Sequence, residues 1–132
     1  MRAILLVEDE PSLRQGLRRL LERAGYAVLT AATSTEAMER AGDWGVTIDL
    51  LVTDLALPGE SGRQVAEVLQ RARPGLRVLY ISGHEENDLS AQGNLRPGDN
   101  FLQKPFTVEA LLHRVRLLLE PGQGRDAATG GA

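Results

Sequence analysis

Residues 50–54 form the run Leu50-Leu51-Val52-Thr53-Asp54, which is apolar almost throughout and ends in a carboxylate. Near-continuous apolar runs are typical of strands in a parallel sheet, because such strands are covered on both faces. Three further apolar runs also end in polar side chains: residues 4–7 lead into Glu8-Asp9-Glu10, 78–81 into Ser82-Gly83, and 101–103 into Lys104-Pro105. If all four runs are parallel strands, their polar ends meet along one edge of the sheet.

The rest of the chain alternates short strand-like runs with helix-like segments, which is typical of an α/β fold. The predicted strands cover residues 3–7, 26–30, 48–54, 77–81 and 100–103. The predicted helices begin at Pro11 and after caps at Ser34 and Thr107, with others over 63–72 and, weakly, over 85–96. Because crossovers between parallel strands are right-handed, we expect a flavodoxin-like (βα)5 fold, doubly wound around a five-stranded parallel sheet of order 2-1-3-4-5.

Apolar residues at helical spacing predict the face that each helix buries. The predicted core-facing residues are Leu13, Leu17, Leu20, Leu21 and Ala24 on the first helix, Val65, Val68 and Leu69 on the third, and Val108, Leu111, Leu112, Val115, Leu118 and Leu119 on the last.

The composition is that of one globular domain: 132 residues, of which 42% are hydrophobic and 25% charged. We place the domain at residues 1–120. The remaining stretch, 121–132, is rich in Gly and Ala without periodicity, so we predict a disordered tail.

Charge and composition exclude several function classes. A net charge of −3 with mixed signs argues against direct binding of nucleic acid. The chain has no cysteine, which excludes disulfides and thiolate metal sites. No apolar run approaches the ~20 residues that span a bilayer, and the N-terminus is unlike a secretory signal. We therefore expect no membrane insertion and a cytoplasmic location.

The polar strand ends predict a cation and phosphoryl site. Oxygen ligands without His or Cys favour a hard divalent ion, and Mg²⁺ fits best. Asp9 and Asp54 are the expected direct ligands, Glu8 is expected to act through water, and the backbone carbonyl of Ala56 is a further candidate ligand. The carboxylate of Asp54 is also the candidate nucleophile, since a carboxylate can accept a phosphoryl group.

Two further strand ends supply groups for the phosphoryl oxygens. Lys104 can bind one oxygen as a point charge. The hydroxyl of Ser82, with the N–H that follows it, can bind another. A cis Lys104-Pro105 bond would aim the lysine inward, and the sequence leaves that isomer open.

Each feature taken alone has a more ordinary explanation. An acidic cluster can simply complement a helix N-terminus, Asp54 can be a cap, and the pairs Ser82-Gly83 and Lys104-Pro105 can be turns. His84 and His113 are best explained as surface residues. The specificity lies in the conjunction of four such features, each at a strand end and in the required order.

This set of motifs closely resembles the receiver domain of two-component response regulators over residues 3–120. The resemblance rests on Glu8-Asp9, on Asp54 in the stretch 54–62, on Ser82-Gly83 and on Lys104-Pro105. It implies a phosphoacceptor that takes a phosphoryl group onto Asp54, with Mg²⁺, from a histidine kinase or a histidine phosphotransfer protein. It also implies a protein that catalyses only its own phosphorylation and dephosphorylation.

The resemblance further implies a switch. Ser82 moves toward the phosphoryl group, Phe101 turns inward, and the surface formed by residues 85–96, the fifth strand and the last helix changes its affinity for an unknown downstream protein.

Two positions that tune dephosphorylation carry Ala56 and His84, which predicts slow to moderate loss of phosphate. We expect a monomer. The stretch 100–106 also resembles the receivers of hybrid sensor histidine kinases, so a stand-alone regulator and a receiver from a hybrid kinase both stay open.

Three alternative function classes fit these residues less well. A small Mg²⁺-dependent phosphatase would carry a second Asp two residues after its nucleophile, where this chain has Ala56. A flavodoxin-like electron carrier needs a phosphate-binding loop after the first strand, and the acidic residues 8–10 would repel an FMN phosphate. A degenerate receiver used as a scaffold would lack some of the matching side chains, and all of them are present.

Overall fold

The computed structural model describes residues 2–43, 47–55, 57, 61–82 and 101–119. Within these ranges the strands are β1 (Ala3–Val7), β2 (Ala27–Ala31), β3 (Leu50–Asp54), β4 (Arg77–Ser82) and β5 (Phe101–Gln103). The helices are α1 (Pro11–Arg23), α2 (Ser34–Asp43), α3 (Gly62–Ala72) and α4 (Val108–Leu119). The predicted helix over 85–96 and the predicted tail over 121–132 lie outside the described residues.

All five strands are parallel and lie in the order β2-β1-β3-β4-β5. The predicted sheet order is therefore confirmed. The two central strands β1 and β3 are buried along their whole length, as their apolar runs predicted. None of the helices in the described ranges is long and apolar enough to cross a membrane.

Side chains that alternate along the strands enter two separate cores. One core lies between the sheet and the helices α2 and α3, and its strand residues include Leu5, Val7 and Leu51. The other lies between the sheet and the helices α1 and α4, and its strand residues include Ile4 and Leu6. Helices on both faces of a parallel sheet give the three-layer arrangement expected of a doubly wound fold.

Local hydrogen bonds set the helix starts. Glu10 caps α1 by accepting from the N–H of Leu13 at 2.7 Å, and Thr107 caps α4 as predicted, accepting from the N–H of Ala110 at 3.0 Å. The predicted cap of α2 was wrong by one residue. Thr33, not Ser34, accepts from the N–H of Glu36 at 3.1 Å, because Ser34 is buried and already belongs to the helix.

The second and third strands begin later than predicted. β2 begins after Tyr26, because the N–H of Tyr26 donates to the carbonyl of Leu21 in α1 at 3.2 Å. β3 begins at Leu50 instead of residue 48. Just before it, Asp49 exchanges two hydrogen bonds with the backbone of Ala3, each of 2.8 Å.

One outward carbonyl of each edge strand is bound by an arginine. In β2, the N–H of Ala27 donates to the carbonyl of Arg2, the residue before β1, at 2.9 Å. The carbonyl of Thr30, three residues further along β2, therefore points away from the sheet. Arg40 of α2 donates to it through Nε at 3.0 Å. At the opposite edge, Arg114 of α4 donates to the carbonyl of Phe101 at 3.0 Å. Unpaired edge groups invite pairing with another strand, so each arginine removes one such group.

The predicted core face of α3 was wrong at one position. Val65 and Leu69 are buried, whereas Val68 is 45% exposed. The buried face also includes Gly62 and Ala66, and Val68 lies roughly 110° around the helix from the centre of that face, at ~100° per residue. On the other helices, Val108 and Ala24 are likewise exposed at helix ends.

Leu69 and Val68 form a matched pair for testing the α3 packing. We expect Leu69→Ala to lower the free energy of unfolding by roughly 2–5 kcal/mol, because it opens a cavity in the core. Val68→Ala should change it by no more than about 0.5 kcal/mol, since the side chain faces solvent. Urea denaturation of both variants measures the difference, and equal losses would contradict the described orientation of α3.

Candidate functional site

The carboxyl ends of the strands bring the predicted site residues together. Glu8 follows β1, Asp54 and Ser82 are the last residues of β3 and β4, and Lys104 follows β5. Carboxylate oxygens of Glu8, Asp9 and Asp54 all lie within 4.8 Å of one another. Glu8 and Asp54 are buried, whereas Asp9 is exposed. The arrangement places two carboxylates inside the protein and a third at its surface.

Lys104 is the cation that faces these carboxylates. Its ammonium Nζ lies 3.1 Å from Oδ2 of Asp54 and 3.6 Å from Oε1 of Glu8. Partial burial lowers the pKa of Lys104, but the hydrogen bond to Asp54 and the negative charges of Asp54 and Glu8 outweigh that effect and raise the pKa above its usual value. The side chain is therefore charged at neutral pH.

Glu8 is held in an unfavourable environment for its charge. Burial, followed by the charge of Asp54, raises the pKa of Glu8 to about 7, although the N–H of Glu10 and the charge of Lys104 oppose the rise. Oxygen Oε1 of Glu8 is buried and accepts no hydrogen bond from the part of the chain that the structure describes. Buried polar oxygens normally have a partner, so this oxygen is an acceptor that a bound cation would satisfy.

A hard divalent cation fits this donor set. The three side chains offer only carboxylate oxygens, the ligand type that Mg²⁺ prefers. Among the described residues, one lysine, Lys104, faces the buried carboxylates of Glu8 and Asp54. A cation would compensate the negative charge that these residues leave, and it would satisfy Oε1 of Glu8. The residues present therefore fit the ion that the sequence predicted. Ala56, the predicted backbone ligand, lies outside the described residues.

Ser82 and Phe101 lie beside this cluster on neighbouring strands. Ser82 is completely buried, and its carbonyl accepts from the N–H of Lys104 at 2.6 Å, which ties β4 to the lysine. The Lys104-Pro105 bond is cis. Phe101 pairs with Tyr80 in the β4–β5 register and packs half-buried on the core beneath α2 and α3.

Comparison with known proteins identifies the family. The chain matches the response regulator receiver domain over residues 4–116. The chain belongs to the response regulator receiver domain family. The predicted family, fold class and phosphoacceptor signalling role are therefore confirmed. Receiver domains are components of two-component systems and are not enzymes in the ordinary sense of turning over a separate substrate.

Individual relatives show how far the similarity extends. The chain is 32% identical over 117 residues to the sensor kinase CckA of Brucella abortus, covering 89% of this chain and 12% of that protein. A receiver domain protein from Clostridium thermocellum has a TM-score of 0.80 at 27% identity, covering 91% of this chain and 95% of that one. TrrA from Thermotoga maritima, in complex with Mg²⁺-BeF, has a TM-score of 0.75 at 27% identity, covering 90% and 100%. The chain spans between 12% and 54% of the length of the first curated relatives it matches.

Gly62 lies just before the helix predicted over 63–72, and its place in the site of this receiver domain was not predicted. Gly62 opens α3, and its N–H donates to the carbonyl of Leu55 at 2.8 Å. A Cβ at this position would overlap the carbonyl oxygen of Asp54 and lie 2.8 Å from Oγ1 of Thr53. Glycine is therefore required by close approach of α3 to the Asp54 backbone. The available signal was a glycine directly after the helix cap Ser61.

Substitution of Gly62 tests this close approach in the receiver domain. Gly62→Ala should lower the free energy of unfolding by about 1–3 kcal/mol, because the added methyl group displaces the Asp54 backbone. Gly16→Ala is the control, since Gly16 lies in α1 with nothing within 4 Å of an added Cβ, and it should stabilise by about 0.5–1 kcal/mol. Chemical denaturation measures both, and stabilisation by Gly62→Ala would contradict the described contact.

The raised pKa of Glu8 predicts how stability depends on pH when no divalent cation is added. The folded chain keeps the Glu8 proton up to about pH 7, whereas the unfolded chain releases it near its usual 4.5. The folded state thus binds more protons in this interval, so its stability falls as pH rises from 4.5 to 7. The expected loss from this group is about 3 kcal/mol.

The variant Glu8→Gln isolates that contribution. It should remove most of the fall, because the amide cannot ionise, and the difference between the two proteins cancels the other titrating groups. Unfolding free energies measured from pH 4.5 to 8 in the presence of a chelator test the expectation. Parallel pH profiles for the two proteins would show that Glu8 ionises normally.

Proposed function

We propose that Asp54 is the phosphoacceptor of this receiver domain. The observation that carries the proposal is the position of its buried carboxylate, which ends the central strand β3 with the Lys104 ammonium 3.1 Å from Oδ2. A buried carboxylate at a strand end, held by one lysine and flanked by further acids, is suited to receive a phosphoryl group whose charge must be neutralised.

The proposed transfer moves one phosphoryl group between two side chains. An oxygen of Asp54 attacks the phosphorus of a phosphohistidine on a histidine kinase or a histidine phosphotransfer protein. The new O–P bond forms as the N–P bond breaks, and the electron pair of that bond returns to the leaving imidazole. Positioning and charge neutralisation provide most of the catalysis in such transfers. Lys104 neutralises one phosphoryl oxygen, and the hydroxyl of Ser82 donates to another.

We assign the divalent-cation site to Glu8, Asp9 and Asp54, with the backbone carbonyl of Ala56 as a further ligand. Mg²⁺, when bound, compensates the acidic cluster and the negative charge that accumulates on the phosphoryl oxygens. Oε1 of Glu8, which accepts no hydrogen bond from the described residues, supports this assignment. So does TrrA, whose structure contains Mg²⁺-BeF.

We further propose that Ser82 and Phe101 transmit phosphorylation at Asp54 to the surface that binds the downstream protein. Ser82 ends β4 beside the site, and Phe101 begins the adjacent edge strand, so both residues lie on the path from Asp54 to the β5–α4 surface. The new charged group biases a two-state element through its contact with the Ser82 hydroxyl. Phe101 has no hydroxyl, so its inward state depends on packing alone.

The proposed partners are a phosphohistidine donor and a downstream protein that binds the predicted switch surface, of which β5 and α4 lie within the described residues. The relatives support two settings for the donor. CckA is a sensor kinase and TrrA is a response regulator, so both a hybrid kinase and a separate regulator are compatible with this receiver. The domain also catalyses its own dephosphorylation, at a slow to moderate rate.

Incubation with acetyl phosphate and Mg²⁺ tests the phosphoacceptor. We expect intact mass spectrometry to show one added phosphoryl group on the native chain and none on Asp54→Asn, which keeps the shape of the side chain but removes its nucleophilic charge. Omission of Mg²⁺ should also prevent the addition.

Asp49→Asn is the matched control, because Asp49 is a carboxylate at the opposite end of the sheet, bound to the N–H of Ala3. It should accept phosphate like the native chain. An adduct that persists in Asp54→Asn, or that is lost in Asp49→Asn, would overturn the assignment of Asp54.

A further inference from the structure

Glu8 lies in the connection between β1 and α1 and makes three hydrogen bonds there. Each bond involves a different polar group of the residue. Its N–H donates to the carbonyl of Ala31 in β2 at 3.0 Å. Its carbonyl accepts from Nη1 of Arg14 at 2.9 Å. Its Oε2 accepts from the N–H of Glu10 at 3.1 Å. The fourth group, Oε1, is directed toward Lys104 at 3.6 Å.

Among these three partners of Glu8, Arg14 alone uses a side chain. The other two are backbone groups and stay in place as long as the fold does. Arg14 lies in the first turn of α1, where its own N–H donates to the carbonyl of Glu10 at 2.9 Å. From there its guanidinium reaches back past the helix start to the end of β1. The side chain thereby ties the helix to the peptide that carries Glu8.

We propose that Arg14 is a positioning residue of the divalent-cation site. Its guanidinium holds the carbonyl of Glu8, which keeps the β1–α1 connection in the conformation that presents Oε1 of Glu8 to the cation. This inference rests on the proposed cation site and adds to it a residue that touches neither the cation nor the phosphoryl group.

Arg14 would affect the Mg²⁺ affinity in two ways that have opposite signs, so a measurement of that affinity tests the proposal. The guanidinium is a positive charge near the acidic cluster and would repel a bound Mg²⁺. By this effect alone, its removal would tighten Mg²⁺ binding. As an anchor for Glu8, it preorganises the ligand, so its removal weakens binding. Partners that orient metal ligands are typically worth a factor of 10–100 in affinity, which exceeds the effect of one solvent-screened charge.

The test is the Mg²⁺ affinity of the full chain, measured by calorimetric titration with MgCl₂. Arg14→Met keeps the aliphatic stem and removes the donor, and we expect it to weaken Mg²⁺ binding roughly ten-fold or more. Arg14→Lys, which can still donate one hydrogen bond to the carbonyl, should recover part of the loss. Arg19→Met removes the same charge from an exposed position of α1 and should bind Mg²⁺ like the native chain.

Each outcome of the titration decides a separate point. Native or tighter affinity in Arg14→Met would overturn the positioning role. If the native chain takes up no Mg²⁺, the proposed cation site fails, and the inference fails with it. If circular dichroism shows that Arg14→Met is unfolded, Arg14→Ala, which also has no donor and favours helix, replaces it, and native affinity in that variant would overturn the inference.

Discussion

Two buried carboxylates at the carboxyl ends of the central strands share one partly exposed ammonium group. Much of the structure depends on this imbalance of charge. The parallel sheet forces Glu8 and Asp54 together, because the ends of adjacent strands β1 and β3 meet there. Burial and mutual repulsion then favour protonation of Glu8. The ion pair between Lys104 and Asp54 offsets only part of this cost. The site is therefore built in a state that a divalent cation and a phosphoryl group would complete.

Such an imbalance persists only if the surrounding backbone cannot relax. The chain meets this requirement with hydrogen bonds from arginines to strand-end and edge carbonyls. Arg14 binds the end of β1, Arg40 binds β2, and Arg114 binds β5. A guanidinium is always charged and has several donors in a rigid plane, so it can hold a carbonyl from a neighbouring helix. Gly62 contributes by a different route, since its missing side chain lets α3 pack directly on the Asp54 backbone.

Hydrogen bonds around Lys104 also connect the site to the surface that a partner would bind. Lys104 is bonded through its backbone to Ser82 and through its side chain to Asp54. Phe101 lies three residues before Lys104 on the short edge strand, and α4 holds its carbonyl through Arg114. A change at Asp54 therefore has a continuous physical route, through the lysine and β5, to the last helix. An edge strand of three residues has few ladder hydrogen bonds and is suited to small displacements.

Much of the fold and of the candidate site could be predicted from the sequence. The apolar runs that end in Glu8, Asp54, Ser82 and Lys104 predicted the strands, their order and the edge on which the polar groups collect, because strand burial and right-handed crossovers leave few other arrangements. Individual exposures were harder to predict: Val68 matched a helical stripe but lies outside it, because the centre of a buried face depends on how the helix is seated on the sheet.

What the sequence by itself determined is the chemistry of the site, since residue type and position at a strand end are local properties. Only the tertiary structure decided which of these groups is buried, which oxygen of Glu8 accepts no hydrogen bond from the described residues, and which side chain holds the Glu8 backbone. Arg14 carried no distinctive sequence signal, and Gly62 carried only that of a glycine directly after a helix cap. Their roles arise from distances between helix and strand ends, and those distances are set by how α1 and α3 pack on the sheet, a property that no local pattern contains.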